Sequence, residues 1–178
     1  MEILPDGHVD LIIGTQSSGQ GHETSFAQIA SEWLKLPFDT IRLRTGDTDF
    51  VASGSGSHSS HSMRLAGLLF HRTSEEIIAR AAGIAALLME AAREDLVFDH
   101  NGFTIGGTDR SLSLFDIAAA AVSNDLPEDM RAPLRAVAEI STPLPTYPNG
   151  CHVAEVEIDP ETGKTIVARY GAVDDYGV

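Results

Sequence analysis

The chain is 178 residues long and 43% hydrophobic, enough for one domain with a real core or for two small lobes sharing an interface. Twelve basic against 26 acidic side chains give a formal charge of -14, so a surface for nucleic acid or an anionic membrane would have to overcome long-range repulsion. The single cysteine, Cys151, excludes an internal disulfide framework and a cysteine-based zinc or iron–sulfur site. The sequence shows no basic, apolar leader and no apolar stretch of membrane-spanning length, so the expectation is a soluble chain with the cytoplasm as default.

Glu2-Ile3-Leu4, Pro5-Asp6-Gly7 and His8 to Ile13 predict a hairpin, because Pro-Asp-Gly supplies a turn between two extended runs. After Gly14 and a polar loop, Phe26, Ile29, Ala30, Trp33 and Leu34 recur at helical spacing, and Pro37 closes that segment. Asp39 to Arg44 alternates as a strand does, ahead of a second polar loop from Gly46 to Ser62. Met63 to Phe70 reads as a short helix, and Thr73-Ser74-Glu75-Glu76 as the capping box of a longer one reaching about Arg93. Leu96 to Phe98 and Phe103 to Ile105 flank Asp99-His100-Asn101-Gly102, a hairpin signal. Ser113 then opens a helix with Ile117, Ala118, Ala121 and Val122 as its stripe. Residues 124–148 form a connector with five prolines, a candidate boundary or excursion, with a helical turn or a strand near Val137 to Ile140. The end is a hairpin, Cys151 to Ile158 against Thr165 to Val173, around Asp159-Pro160-Glu161-Thr162-Gly163. The fold class expected is α+β: a two-layer arrangement with a mixed sheet, antiparallel hairpins at both ends and helices packed on it.

The loop Gly14 to Thr24 lies between a strand and a helix, which places backbone N–H groups and a positive helix end beside an anion. Gly14 to Gly19 has P-loop spacing, but Gln20 and Gly21 stand where that chemistry needs Lys and then Ser or Thr. Gly19-Gln20-Gly21 is also part of a dinucleotide fingerprint, with Asp47 near the position of a ribose-binding acid, yet the third glycine is missing. A helix start with turn-forming glycines is the plain alternative. The second loop, Ser53 to Ser62, is polar and glycine-spaced and runs into a helix, a second anion cradle. His58-x-x-His61 could hold zinc, although no acid or cysteine is positioned beside it. Asp47 and Asp49 read as an Asx turn, Glu155 and Glu157 as a solvated strand face, and Cys151 as structural.

In order and spacing, several of these segments resemble the large subunits of the molybdenum hydroxylases, the family of xanthine dehydrogenase, aldehyde oxidase and aerobic carbon monoxide dehydrogenase. They are Gly14-Thr15, Gly19 to Thr24 with Gln28, Gly46 to Asp49, Gly56 to Ser62 with Gly67, Ala154 to Gly163, and Asp174 to Gly177. The resemblance implies a partial molybdopterin-binding domain over 1–178. It implies that Gln20 hydrogen-bonds an oxygen ligand of the molybdenum, a task suited to a neutral amide. Gly19 and Gln20 would contact the cofactor, Gly21 and His22 would line the pterin or its pyrophosphate, and Ser57, Ser59, Ser60, His61 and Ser62 would wrap the pyrophosphate of a dinucleotide form. None of these residues would ligate metal directly. His61 stands where the family commonly has arginine, which lowers the charge offered to a phosphate.

The family hydroxylates carbon centres and passes electrons through iron–sulfur clusters to a flavin. Iron–sulfur and FAD would then sit on partner domains or subunits, and the remainder of the large subunit would be the nearest partner, with a homo-oligomer left open. The family's catalytic glutamate lies in a Gly-x-Gly-Glu segment that this sequence lacks. The chain is therefore expected to contribute both loops to a cofactor cradle, to be inactive and empty alone, and to be part of an oxidoreductase. The alternative is a noncatalytic binding or scaffold domain that keeps the fold without the cofactor.

Overall fold

The structure is a computed structural model and describes residues 1–124, 126–140, 147 and 149–175. Pro143, Pro145 and Pro148 of the connector, and Tyr176-Gly177 of the last motif, lie outside the described residues. The chain divides into two compact units, Met1–Pro143 and Leu144–Val178.

In the first unit, strand β1 (Glu2–Ile3) runs antiparallel to β2 (Val9–Ile12). The turn between them closes with Leu4 N–H donating to His8 carbonyl oxygen at 2.8 Å. Val9, Leu11 and Ile13 alternate into the core, as a half-buried strand requires. A two-residue strand, β3 (Thr15–Gln16), precedes helix α1 (His22–Leu34). The chain then returns through β4 (Ile41–Arg44), which pairs parallel with β2, so β2, α1 and β4 form a βαβ unit. Arg44 Nε donates to Asp10 across that pair at 2.8 Å. Strand β5 (Ser55–Gly56) pairs parallel with β3, which joins the two polar loops.

Helix α2 runs unbroken from His61 to Leu88. The capping box expected at Thr73 is absent because Thr73 and Ser74 are buried in mid-helix. The Thr73 hydroxyl instead donates to Leu69 carbonyl oxygen at 2.8 Å, the back-bond that lets threonine sit inside a helix. Strands β6 (Leu96–Asp99), β7 (Gly102–Ile105) and β8 (Ser111–Ser113) make an antiparallel sheet in that order. His100 and Asn101, both at positive φ, form the two-residue tip of the first hairpin. Ser113 caps α3 (Leu114–Ala121) in a full capping box with Asp116. Strand β9 (Leu134–Arg135) then pairs antiparallel with β1. The connector's strand therefore lies three residues before Val137, and the larger sheet has the order β4-β2-β1-β9.

Phe26 and Leu34 of α1, Ile77 and Ile84 of α2, and Leu114 and Ile117 of α3 meet Ile3, Val9, Leu11 and Leu134 of that sheet in one core. Two residues of the expected helix stripes do not join it: Trp33 is 43% exposed and Val122 is exposed as well. Trp33 instead packs edge-on against His71. The second unit is an antiparallel ribbon of β10 (Asn149–Ile158) and β11 (Thr165–Asp175), with a register shift between Glu155 and Val156. The mixed sheet, the terminal hairpins and the three helices make the molecule α+β.

Candidate functional site

The two polar loops end as the N-termini of α1 and α2. Helix α1 is entered through Gly21 at φ 72° and α2 through Ser60 at φ 53°, and neither helix has a side-chain cap. The N-cap residue of neither helix therefore offers its side chain to the first-turn N–H groups, although Thr24 N–H donates to Gly21 carbonyl oxygen and His61 N–H to His58 carbonyl oxygen. The loops meet because Gly14 and Gly54 pass backbone against backbone. A Cβ on Gly54 would fall 2.0 Å from Gly14 carbonyl oxygen, and one on Gly14 would fall 2.4 Å from Ser53 carbonyl oxygen. The Thr15 and Ser62 hydroxyls, 2.7 Å apart, tie β3 to the start of α2.

Gln20 spans the gap between the loops. Its Oε1 accepts from Ser18 N–H at 2.5 Å and from the Ser17 hydroxyl at 3.3 Å, while Nε2 donates to Ser57 carbonyl oxygen at 3.4 Å. His22 is buried at 5% exposure and stacks on Phe26 with ring centroids 4.3 Å apart. Its Nε2 lies 3.4 Å from the Ser57 hydroxyl, and its buried Nδ1 has no hydrogen-bond partner among the described residues.

Gln20, His22, Ser25, Ser57, His58, Ser59, Ser60, Ser62 and Met63 line one open hollow of about 580 Å³. The polar groups of the described lining residues are hydroxyl, amide and imidazole, with no carboxylate, lysine or arginine among them. Glu23, the acid in the first turn of α1, is not among the lining residues. Six of the expected cofactor contacts thus share a wall: Gln20, His22, Ser57, Ser59, Ser60 and Ser62. Gly19 and Gly21 shape the loop without lining the hollow. His61 lies beside a neighbouring hollow with Thr15, Ser62 and Glu139, its ring 4.4 Å from that of His58. Ser25, His58 and Met63 join the lining without having been expected there. Ser25 and Met63 lie within one helical turn of the N-caps Gly21 and Ser60, and His58 lies inside the Ser/His loop. A more apolar hollow of about 280 Å³, lined by Leu11, Phe50, Leu69 and Phe70 among others, lies elsewhere in the first unit.

Among the described residues no group of three or more His, Cys, Asp or Glu could hold a metal ion. Asp47 accepts from Asp49 N–H at 2.9 Å, an Asx turn. Cys151 is an exposed free thiol. The arrangement suits an extended, oxygen-rich anion held by neutral donors. Two helix N-termini each contribute about half a positive charge, hydroxyls and an amide supply directed hydrogen bonds, and none of the described lining residues is acidic.

The profile of the molybdopterin cofactor-binding domain family matches residues 1–178. The chain belongs to that family. It is 35% identical over 177 residues to the carbon monoxide dehydrogenase large chain of Afipia carboxidovorans, covering 99% of this chain and 22% of the relative. It is 34% identical to the nicotine 6-hydroxylase large subunit of Paenarthrobacter nicotinovorans, covering 97% of this chain and 21% of the relative. In three dimensions it superposes on a crystal structure of Cu,Mo-CO dehydrogenase with a TM-score of 0.83 at 34% identity, over 97% of this chain and 22% of that one. The quinoline 2-oxidoreductase of Pseudomonas putida 86 gives 0.81 at 32% identity, over 99% and 23%. The chain therefore spans about a fifth of the length of the relatives it matches, and it corresponds to a molybdopterin-binding portion of a molybdenum hydroxylase large subunit. No helix among the described residues is long and apolar enough to cross a membrane.

The donor set fits such a cofactor. A phosphorylated pterin presents oxygen and nitrogen acceptors that hydroxyl, amide and helix N–H donors can satisfy. The unpartnered Nδ1 of His22 adds an unsatisfied polar atom within the wall.

Proposed function

We propose that this chain holds part of the molybdenum cofactor of a hydroxylase large subunit, in the hollow between the N-termini of α1 and α2. The observation that carries the reading is that two helix starts without side-chain caps converge on one wall whose described lining residues carry no carboxylate, in a chain of net charge -14. Acidic side chains are common in this sequence, and their exclusion from this wall is what an anion site requires. Gln20 takes the metal end, where its amide donates a hydrogen bond without adding charge or titrating. Ser57, Ser59, Ser60 and Ser62 take the pyrophosphate of a dinucleotide form, with Gly19, Gly21, His22 and His61 completing the cradle. When bound, the molybdenum centre supplies the redox chemistry of substrate hydroxylation. The protein's part is to bind, to orient and to present neutral donors.

The catalytic base and the electron acceptors belong elsewhere in this reading. No Gly-x-Gly-Glu run occurs among the 178 residues, so the chain alone turns over no substrate. Its partners are the rest of the large subunit and the iron–sulfur and flavin domains or subunits. The carbon monoxide dehydrogenase large chain and the 6-hydroxypseudooxynicotine dehydrogenase complex subunit gamma, both relatives, support a multi-subunit setting. The test is metal analysis and oxidative release of fluorescent pterin from a large subunit carrying this sequence, produced in cells that make the cofactor. Molybdenum and pterin in near-equal amounts are expected. Absence of both favours the noncatalytic scaffold, for which the loss of arginine at His61 is the supporting feature.

A further inference from the structure

The terminal ribbon carries a cluster of titratable side chains that the cofactor hollow does not use. On one face, Gly150, His152 and Ala154 of β10 stand opposite Asp174, Ala172 and Tyr170 of β11. Each polar side chain thus faces a glycine or an alanine, which leaves room for it to lie across the ribbon. His152 Nε2 is 2.9 Å from Asp174 Oδ1, and His152 Nδ1 is 2.8 Å from the Tyr170 hydroxyl. Gly150 belongs to the arrangement, because a Cβ there would fall 2.3 Å from Asp174 Oδ1.

Chemistry fixes the direction of the bond to Asp174 and, for the neutral ring, of the bond to Tyr170. A carboxylate oxygen only accepts, so His152 Nε2 carries the hydrogen and donates to Asp174. In the neutral ring Nδ1 then holds the lone pair, and Tyr170 donates its O–H to it. A hydroxyl bonded to an imidazole whose other nitrogen is held by a carboxylate is the constellation that activates a hydroxyl for attack. Tyr170 is 63% exposed in this chain.

We propose that Tyr170 is a reactive phenol and a site of covalent acylation, with His152 as its general base and Asp174 as the group that orients His152. The class of reagent is an activated acyl donor. As the Oη–carbonyl bond forms and the bond to the leaving group breaks, the phenolic proton passes to His152 Nδ1, and the resulting imidazolium stays paired with Asp174. That proton then departs with the leaving group, which restores His152. No electrons are transferred, and the only reaction partner is the acyl donor.

A purely structural cross-strand bond predicts the opposite reactivity, since a hydroxyl tied to a partner should react more slowly than a free one. The test treats the whole chain with limiting N-acetylimidazole and reads acetylation by peptide mass spectrometry. Tyr147, which is 76% exposed, is the internal reference. Acetylation of Tyr170 at least about a hundredfold faster than Tyr147 is expected, the lower end of general-base assistance. The ratio should fall to one or below in His152→Phe, and also in Gly150→Ala, where the added methyl displaces Asp174. A wild-type ratio of one or less overturns the proposal, as does a high ratio that survives His152→Phe. Nitrogen-15 spectra of the wild-type chain give a reading independent of any variant: the Nε2–H tautomer of His152 is expected, and the Nδ1–H tautomer overturns the assignment.

Discussion

Gln20 is the side chain on which the cofactor reading turns at the smallest scale. Its amide accepts from Ser17 and Ser18 with one end and donates to Ser57 carbonyl oxygen with the other, so it is held by both loops at once. Gln20→Ala in a large subunit carrying this sequence should lower molybdenum affinity or turnover by about 10–100-fold, the usual cost of losing an outer contact to a metal centre. Metal content and steady-state rates together check this. Asp159 governs a different local feature, the turn of the terminal ribbon. The Thr162 hydroxyl and the Glu161 and Thr162 amides donate to its carboxylate, and these bonds hold its pKa below the ordinary carboxylate value. A carboxyl whose folded pKa is depressed adds stability above its unfolded pKa, and that stability is lost as pH falls through the folded value. Amide shifts of Glu161 and Thr162 should therefore hold steady at neutral pH and move only in strong acid, while Asp159→Ala should abolish that acid transition.

At the scale of elements, what positions the site is the short β3–β5 pair. Two residues per strand carry almost no hydrophobic alternation, so nothing in the sequence marks Thr15–Gln16 or Ser55–Gly56 as extended, and both read as loop. The signal that was available is the pair of glycines flanking them, since Gly14 and Gly54 permit a backbone approach that no other residue allows. Gly54→Ala should part the loops and reduce bound cofactor while the helical circular dichroism stays near wild type. The start of α3 was legible for the opposite reason: Ser113 and Asp116 stand at capping-box spacing, and both reciprocal bonds form. Ser113→Ala should cost about 1 kcal/mol, within the usual range for a lost N-cap, measurable by urea denaturation. Thr73 carries the same local signal and was misleading. A capping box competes with continuation of the helix, and burial of Ser74 and Ile77 against the core favours continuation.

For the whole molecule, the α+β class followed from the order of periods along the chain: alternation in β2, β4, β10 and β11, and helical spacing in α1 and α3. The sheet order β4-β2-β1-β9 did not, because pairing of β9 with β1 joins residues more than 130 positions apart, and local pattern carries no information about such contacts. Phe26 lies at the junction of core and site, fully buried between His22 and Phe70. Phe26→Ala should destabilise the chain by about 3–5 kcal/mol, as large-to-small changes of buried aromatics do, and should loosen His22 as well. The site was legible in its residue types, hydroxyls and an amide beside glycines, more than in its shape, since the convergence of two helix ends is a tertiary fact. That convergence is the central claim, and reversing the charge of the hollow tests it most directly. Ser59 already sits at φ 53°, a conformation aspartate tolerates, so Ser59→Asp places a carboxylate in the wall with little backbone strain. Pterin and molybdenum content of the purified large subunit should fall to roughly a tenth of wild type, as about 1.4 kcal/mol of repulsion would produce; wild-type content in the Ser59→Asp variant would contradict the assignment of this hollow to the cofactor.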